Sequence, residues 1–116
     1  MASAPSLISP AFLAVLFRGV SDPARLSCLL TVRNGPRTVG EIVIVTGLSQ
    51  PNASKHLACL RECGLVHAER DGRFVRYDLS CEGVGRLLDA AEDLFEAVGA
   101  SVAACPTYGK WKSDGE

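Results

Sequence analysis

Residues 48–79 read LSQPNASKHLACLRECGLVHAERDGRFVRYDL, and small and cyclic residues divide the stretch into a helix and a hairpin. Ser49 stands before a helix-forming run with Pro51 in its first turn, where a missing N–H leaves no partner unsatisfied. Ala53, Leu57 and Leu60 recur at i, i+4 and i+7, which makes them the buried stripe of that helix. Gly64 then suits the left-handed residue that closes a helix. Beyond it two alternating runs flank Asp71-Gly72, a strong hairpin signal, and the spacing predicts Val66 opposite Tyr77 and Ala68 opposite Val75.

Working outward, Thr38 caps a shorter helix that runs to about Val45 and stops at Gly47, although its β-branched run VGEIVIVTG read alone also fits a strand. Before it, Ser21-Asp22-Pro23 opens a helix that reaches about Arg33 and ends at Asn34-Gly35-Pro36. Residues 11–20, AFLAVLFRGV, are apolar on nearly every side, the pattern of a helix buried on more than one face at a subunit interface. From about Glu82 to Val102 a long helix carries Val84, Leu87, Leu88, Ala91, Leu94, Phe95, Val98 and Val102 on a stripe broad enough for both core and partner.

Helix, glycine turn, helix, then a hairpin with an arginine-flanked tip is the order of a winged helix-turn-helix. The expected fold is mainly α with a β-hairpin wing, homodimeric through its N- and C-terminal helices. Residues 1–105 are read as the DNA-binding and dimerisation domain and residues 106–116, with Tyr108 and Trp111, as a polar flexible tail.

Composition supports a globular fold: 47% of the 116 residues are hydrophobic, 22% are charged, and the net charge is −1. Such a balance excludes a generally basic nucleic-acid coat, but charge is unevenly placed. Residues 37–76 carry +2 and residues 77–105 carry −5, so one face can meet phosphate while another does not. MASAPSLISP lacks a basic signal-peptide start and no apolar run is long enough to span a membrane, so a cytoplasmic protein is expected. Its five cysteines are then reduced, and their odd number argues against a full disulfide framework.

The first part of the second helix of such a motif meets base edges, and here it holds Gln50, Asn52, Ser54, Lys55 and His56. Gln and Asn match adenine bidentately, whereas Ser49, Ser54 and Lys55 suit phosphate. Arg70, Arg73 and Arg76 on the hairpin are placed for backbone or minor groove, although charged hairpin tips also serve solubility. Operator DNA is therefore the expected partner.

Cys59 and Cys63 are four residues apart on one helix side, with Cβ atoms about 6 Å apart, near enough to share a metal ion. Buried packing is the alternative, and it is the preferred reading for Cys28 and for Cys81. Cys105, in AACPTY past the last helix, has little core to fill and is placed to close on the other two from its own subunit or its partner. Three thiolates without a histidine favour a soft, large ion, Cd(II) or Pb(II), over As(III) or four-ligand Zn(II).

From about Val20 to Leu79 the chain resembles the ArsR/SmtB bacterial metal-sensing repressors. SDPARLSCLL, LSQPNASKHLACLRECGLV and DGRFVRYDL stand where that family has its helices and wing. One branch, the cadmium- and lead-responsive repressors of the mycobacterial type, is similar in carrying CLxxC in the recognition helix and a third Cys near the C-terminus. Cys59, Cys63 and Cys105 match it. Two other site types do not fit: VGEIVIV lacks the Cys-x-Cys of the commoner arsenic and cadmium sensors, and the last helix has Asp89, Glu92, Asp93 and Glu96 but no histidine.

The expected function is a non-enzymatic repressor that binds operator DNA when metal-free and is released on metal capture, derepressing metal-resistance genes. A redox, sulfide or arsenite sensor of the same fold is the alternative. A thiol enzyme or metal chaperone is disfavoured, since Cys-x-x-Cys is absent and neither His56 nor His67 has a catalytic partner arrangement. A ligand-free DNA-binding dimer is a further alternative.

Overall fold

A computed structural model describes residues 9–107. Two short helices open it, α1 (Pro10–Gly19) and α2 (Pro23–Val32), followed by strand β1 (Arg37–Thr38) and helices α3 (Val39–Thr46) and α4 (Gln50–Glu62). Strands β2 (Val66–Asp71) and β3 (Phe74–Leu79) form the wing, and α5 (Glu82–Ala103) closes the chain. Tyr108, Trp111 and most of the expected tail lie outside the described residues.

Local chemistry sets most boundaries. Asp22 caps α2 by accepting from the Arg25 N–H at 3.0 Å, and the negative charge also suits the positive end of the helix. Thr38 and Glu41 form a reciprocal capping box at the start of α3. Thus the β-branched run is helical, because both caps and the Gly47 stop agree on a helix. At the end of α4 the Leu65 N–H reaches the Leu60 carbonyl at 2.9 Å and Gly64 takes φ of 81°. That is a Schellman closure with its accompanying Leu60–Leu65 apolar contact.

The core gathers one face from each of several elements: Cys28, Leu29 and Val32 of α2, Ile42 of α3, Leu57 and Leu60 of α4, Val66 of β2, and Val84 and Leu88 of α5. Ala53, Leu57 and Leu60 are fully buried, as their spacing requires. By contrast α1 buries no residue within the protomer, and Phe12 is 74% exposed. Leu94, Phe95 and Val102 on α5 are also exposed. Apolar faces of this size on two terminal helices are what an interface between copies requires.

Two features of the sheet depart from expectation. The hairpin register is Val66 with Leu79, Ala68 with Tyr77 and Arg70 with Val75, so Val66 does not face Tyr77 nor Ala68 face Val75. The turn is Gly72-Arg73 rather than Asp71-Gly72, because Asp71 still pairs with Phe74. Placing Asp71 in the turn would require a positive φ there in a type I′ geometry, whereas only Gly72, at φ 66°, adopts one. A slip of two residues leaves every side chain on its original face. The second feature is β1, whose two residues pair with β3 to make a three-stranded sheet in the order β1-β3-β2.

Candidate functional site

Recognition helix α4 begins at the Ser49 cap, whose Oγ accepts from the Asn52 N–H at 3.3 Å. Gln50, Asn52, Ser54 and Lys55 follow on its exposed surface, opposite the buried stripe. The capping bond fixes Ser49 at the point where the first turn's N–H groups face outward, a suitable place for phosphate. His56 differs from its neighbours. It is half-buried and interacts electrostatically with Asp22 at the start of α2. Asp22 is held below the ordinary carboxylate range first by the Arg25 N–H, with His56 adding to the effect.

The three wing arginines have separate surroundings. Arg76 donates from Nε to Asp71 at 2.8 Å and lies 3.8 Å from Glu41, so it joins the hairpin to α3. Arg70 donates to the Gly72 carbonyl at 3.3 Å across the turn. Arg73 lines a cleft of about 390 Å³ between α3, α4 and the wing, together with Gln50, Ser54 and Phe74. Phe74 is the residue in this group that spacing did not single out; its signal was an aromatic side chain on the exposed side of an alternating strand.

At the other end of α4, Cys59 is half-buried and Cys63 is exposed. Desolvation raises the Cys63 thiol above its ordinary value, and the Cys59 thiol, within hydrogen-bonding reach, raises it further. Cys63 also lines a 250 Å³ recess against Phe12, Val15, Leu16 and Gly19 of α1. Arg25 lies near enough to oppose the shift, and its Nε donates to the Gly19 carbonyl, tying α2 to the end of α1.

Cys105 lies beyond α5, half-buried, its N–H bonded to the Val102 carbonyl at 3.1 Å. Among the described residues no three His, Cys, Asp or Glu side chains converge as a metal site. One protomer places Cys59 and Cys63 together at the end of α4 and Cys105 beyond the end of α5.

The remaining cysteines divide. Cys28 is fully buried and its thiol is pushed up to about 11 by burial, with Asp22 adding to the effect, as a packing residue should be. The packing expectation fails for Cys81, which is exposed at the start of α5. There the Val84 and Gly83 N–H groups, then Ser80, hold its thiol below its ordinary value.

On α5, Glu92 accepts from both Arg33 terminal nitrogens at 3.0 and 3.1 Å, and Asp89 accepts from one at 3.2 Å. Arg33 holds Glu92 below the usual carboxylate range. These carboxylates clamp α2 to α5. No helix among the described residues is long and apolar enough to cross a membrane.

Helix, turn, recognition helix and a β-hairpin wing define a winged helix-turn-helix, a DNA-binding fold. More narrowly, residues 22–68 match the bacterial regulatory protein arsR family. Over 92 residues, 79% of this chain and 74% of the relative, the sequence is 40% identical to the probable mercury resistance operon repressor of Streptomyces lividans. It is 42% identical over 76 residues to the HTH-type transcriptional regulator CmtR of Mycobacterium tuberculosis, spanning 66% of this chain and 64% of that one. The fold matches the solution structure of a homodimeric winged helix-turn-helix DNA-binding domain from Mycobacterium bovis, described as a possible ArsR-family transcriptional regulator. That match has a TM-score of 0.66 at 28% identity and covers 83% of this chain and 91% of the other. The chain belongs to the arsR family.

Proposed function

We propose that the protein is a homodimeric, metal-responsive transcriptional repressor that holds operator DNA when metal-free. Release follows when Cys59, Cys63 and Cys105 capture a thiophilic ion, Cd(II) or Pb(II), and metal-resistance genes are then expressed. As(III) and Zn(II) are weaker candidates for a three-thiolate set. The observation that carries this reading is the placement of Cys59 and Cys63 one turn apart at the end of the helix whose first turns present Gln50, Asn52, Ser54 and Lys55.

Cys105 joins the pair from its own protomer or from the second copy. Exposed apolar residues on α1 and α5 support such a dimer, as does the homodimeric relative. The relative named for a mercury resistance operon supports control of resistance genes. Cys59 and Cys63 stand on the same rigid helix as the DNA-reading residues, and Cys63 also abuts α1. Tethering this end of α4 to a partner segment restrains the helix and disfavours its DNA-competent placement. Coupling is reciprocal, so DNA weakens metal capture by the factor that metal weakens DNA binding.

A gel shift of the reduced, metal-free protein on DNA from immediately upstream of its own gene, with and without Cd(II), tests this. Retention without metal and release with it is expected, and Cys59→Ser should stay bound in both conditions. Cd(II)-insensitive binding of the wild type would exclude the metal reading. The spacing of the two thiols also favours a redox or sulfide sensor, since helical residues four apart have Cα atoms about 6 Å apart, within disulfide range. Release by oxidant alone would select that reading.

A further inference from the structure

Cys63 is exposed at the C-terminal end of α4, one turn after the half-buried Cys59. It opens onto a recess of about 250 Å³ between α1 and the end of α4, lined also by Phe12, Val15, Leu16, Gly19 and Leu65. Gly19, bare of a side chain, keeps that space open beside the sulfur, since a Cβ there would stand 3.9 Å from Cys63 Sγ. Apart from the thiol, the lining among the described residues carries no polar side chain. A cavity of about 150 Å³ with such a lining takes up benzene, so this recess is large enough for a phenyl ring.

Two thiols beside an apolar recess restrict what they can hold. A divalent ion on both sulfurs keeps positions that call for water or further polar ligands, and the recess supplies none. Trivalent arsenic that already carries one carbon substituent is different. It makes three bonds, so two remain for sulfur, and its carbon group needs an apolar seat. Helical residues four apart have Cα atoms about 6 Å apart and reach a common atom from one helix face.

We infer that Cys59 and Cys63 capture a monosubstituted organoarsenical, R–As(III), with the R group seated in the recess between α1 and α4. This rests on the reading of the two thiols as the effector site and names a ligand class for it. In water the ligand is R–As(OH)2. Each thiol gives its proton to one hydroxyl, two As–S bonds replace two As–O bonds, and two waters leave. Arsenic stays trivalent and nothing is oxidised. Carbon takes the third position, so capture does not need Cys105. Aryl groups bind more tightly than methyl, because a ring buries more apolar surface in the recess.

The test titrates the reduced protein, in a thiol-free reductant, with phenylarsine oxide and with methylarsonous acid against a competing small dithiol. Native mass spectrometry counts the arsenic bound. One phenylarsenical per protomer is expected, held about tenfold more tightly than the methyl compound. Cys105→Ser should bind it as the wild type does. Cys59→Ser and Cys63→Ser should each lose about a hundredfold or more, the gain that a second tethered thiolate brings. Val15→Trp fills the recess from a position that is 55% exposed. It should erase the phenyl preference while keeping methyl capture, which reports an intact thiol pair and fold. Absence of capture, equal affinity for phenyl and methyl in the wild type, a phenyl preference that survives Val15→Trp, or capture that requires Cys105 each overturns the proposal. Cd(II) titration of the same proteins keeps the two readings apart: no Cd(II) capture with the phenyl preference intact would overturn the cadmium reading and support this one.

Discussion

The Cys63 thiol faces Gly19 of α1 so closely that a Cβ at Gly19 would stand 3.9 Å from Sγ. The end of the recognition helix and a terminal helix with no buried residue of its own therefore share one recess. Gly19→Leu should fill that space and weaken Cd(II) capture at least tenfold while leaving metal-free DNA binding close to wild type. Competition against a chelator, followed by thiolate-to-metal ultraviolet absorbance, measures this; unchanged affinity would show that the recess is not part of the site.

Metal capture by thiols releases protons, so affinity rises with pH wherever the thiols are protonated. Cys63 is raised above its ordinary value, which keeps it protonated at neutral pH. Affinity for Cd(II) should increase by about a decade per pH unit for each proton released, and Cys63→Ser should flatten that slope. Titrations between neutral and mildly alkaline pH report the slope directly.

Cys28 predicts the opposite sign for stability. Its thiol is raised from 9.0 to about 11 in the fold, so the unfolded chain ionises first. The stabilisation is whole below pH 9 and is lost as pH climbs through about 11. Urea midpoints should fall across that window in the wild type and fall less in Cys28→Ala.

Cys81 and Cys28 should separate cleanly under a small alkylating agent. The first is exposed with a lowered thiol value, and the second is fully buried with a raised one. Mass spectrometry after brief labelling at neutral pH should find Cys81 modified and Cys28 intact. The reverse order would mean that α5 does not begin as described.

Two substitutions probe the frame that holds α4. Leu57 is fully buried, so Leu57→Ala should cost about 2–5 kcal/mol in urea unfolding. Gly64→Ala meets nothing within 4 Å but must keep φ of 81°, so its cost, about 1 kcal/mol, is conformational alone.

The sequence by itself determined the helices, the caps of α3 and α4, and the two ends of α4. A cap, a closing glycine and an i, i+4 stripe act over a few residues, so Asp22, Thr38, Ser49, Gly64 and the Ala53/Leu57/Leu60 stripe were legible without a fold. It also put Cys59 and Cys63 on one side of one helix. The tertiary structure alone decided what depends on distant segments meeting. β1 exists because β3 pairs with it, Arg33 meets Glu92 fifty-nine residues on, and Phe74 and Gln50 line one cleft. The hairpin register lies two residues from the patterned one, with the turn at Gly72-Arg73 and the positive φ taken by Gly72, because local pattern does not choose between pairings that keep every side chain on the same face. Only the fold could show Cys81 in the open and, among the described residues, no group of three such side chains arranged to hold a metal ion, since how distant residues converge is set by packing, not by spacing in the chain.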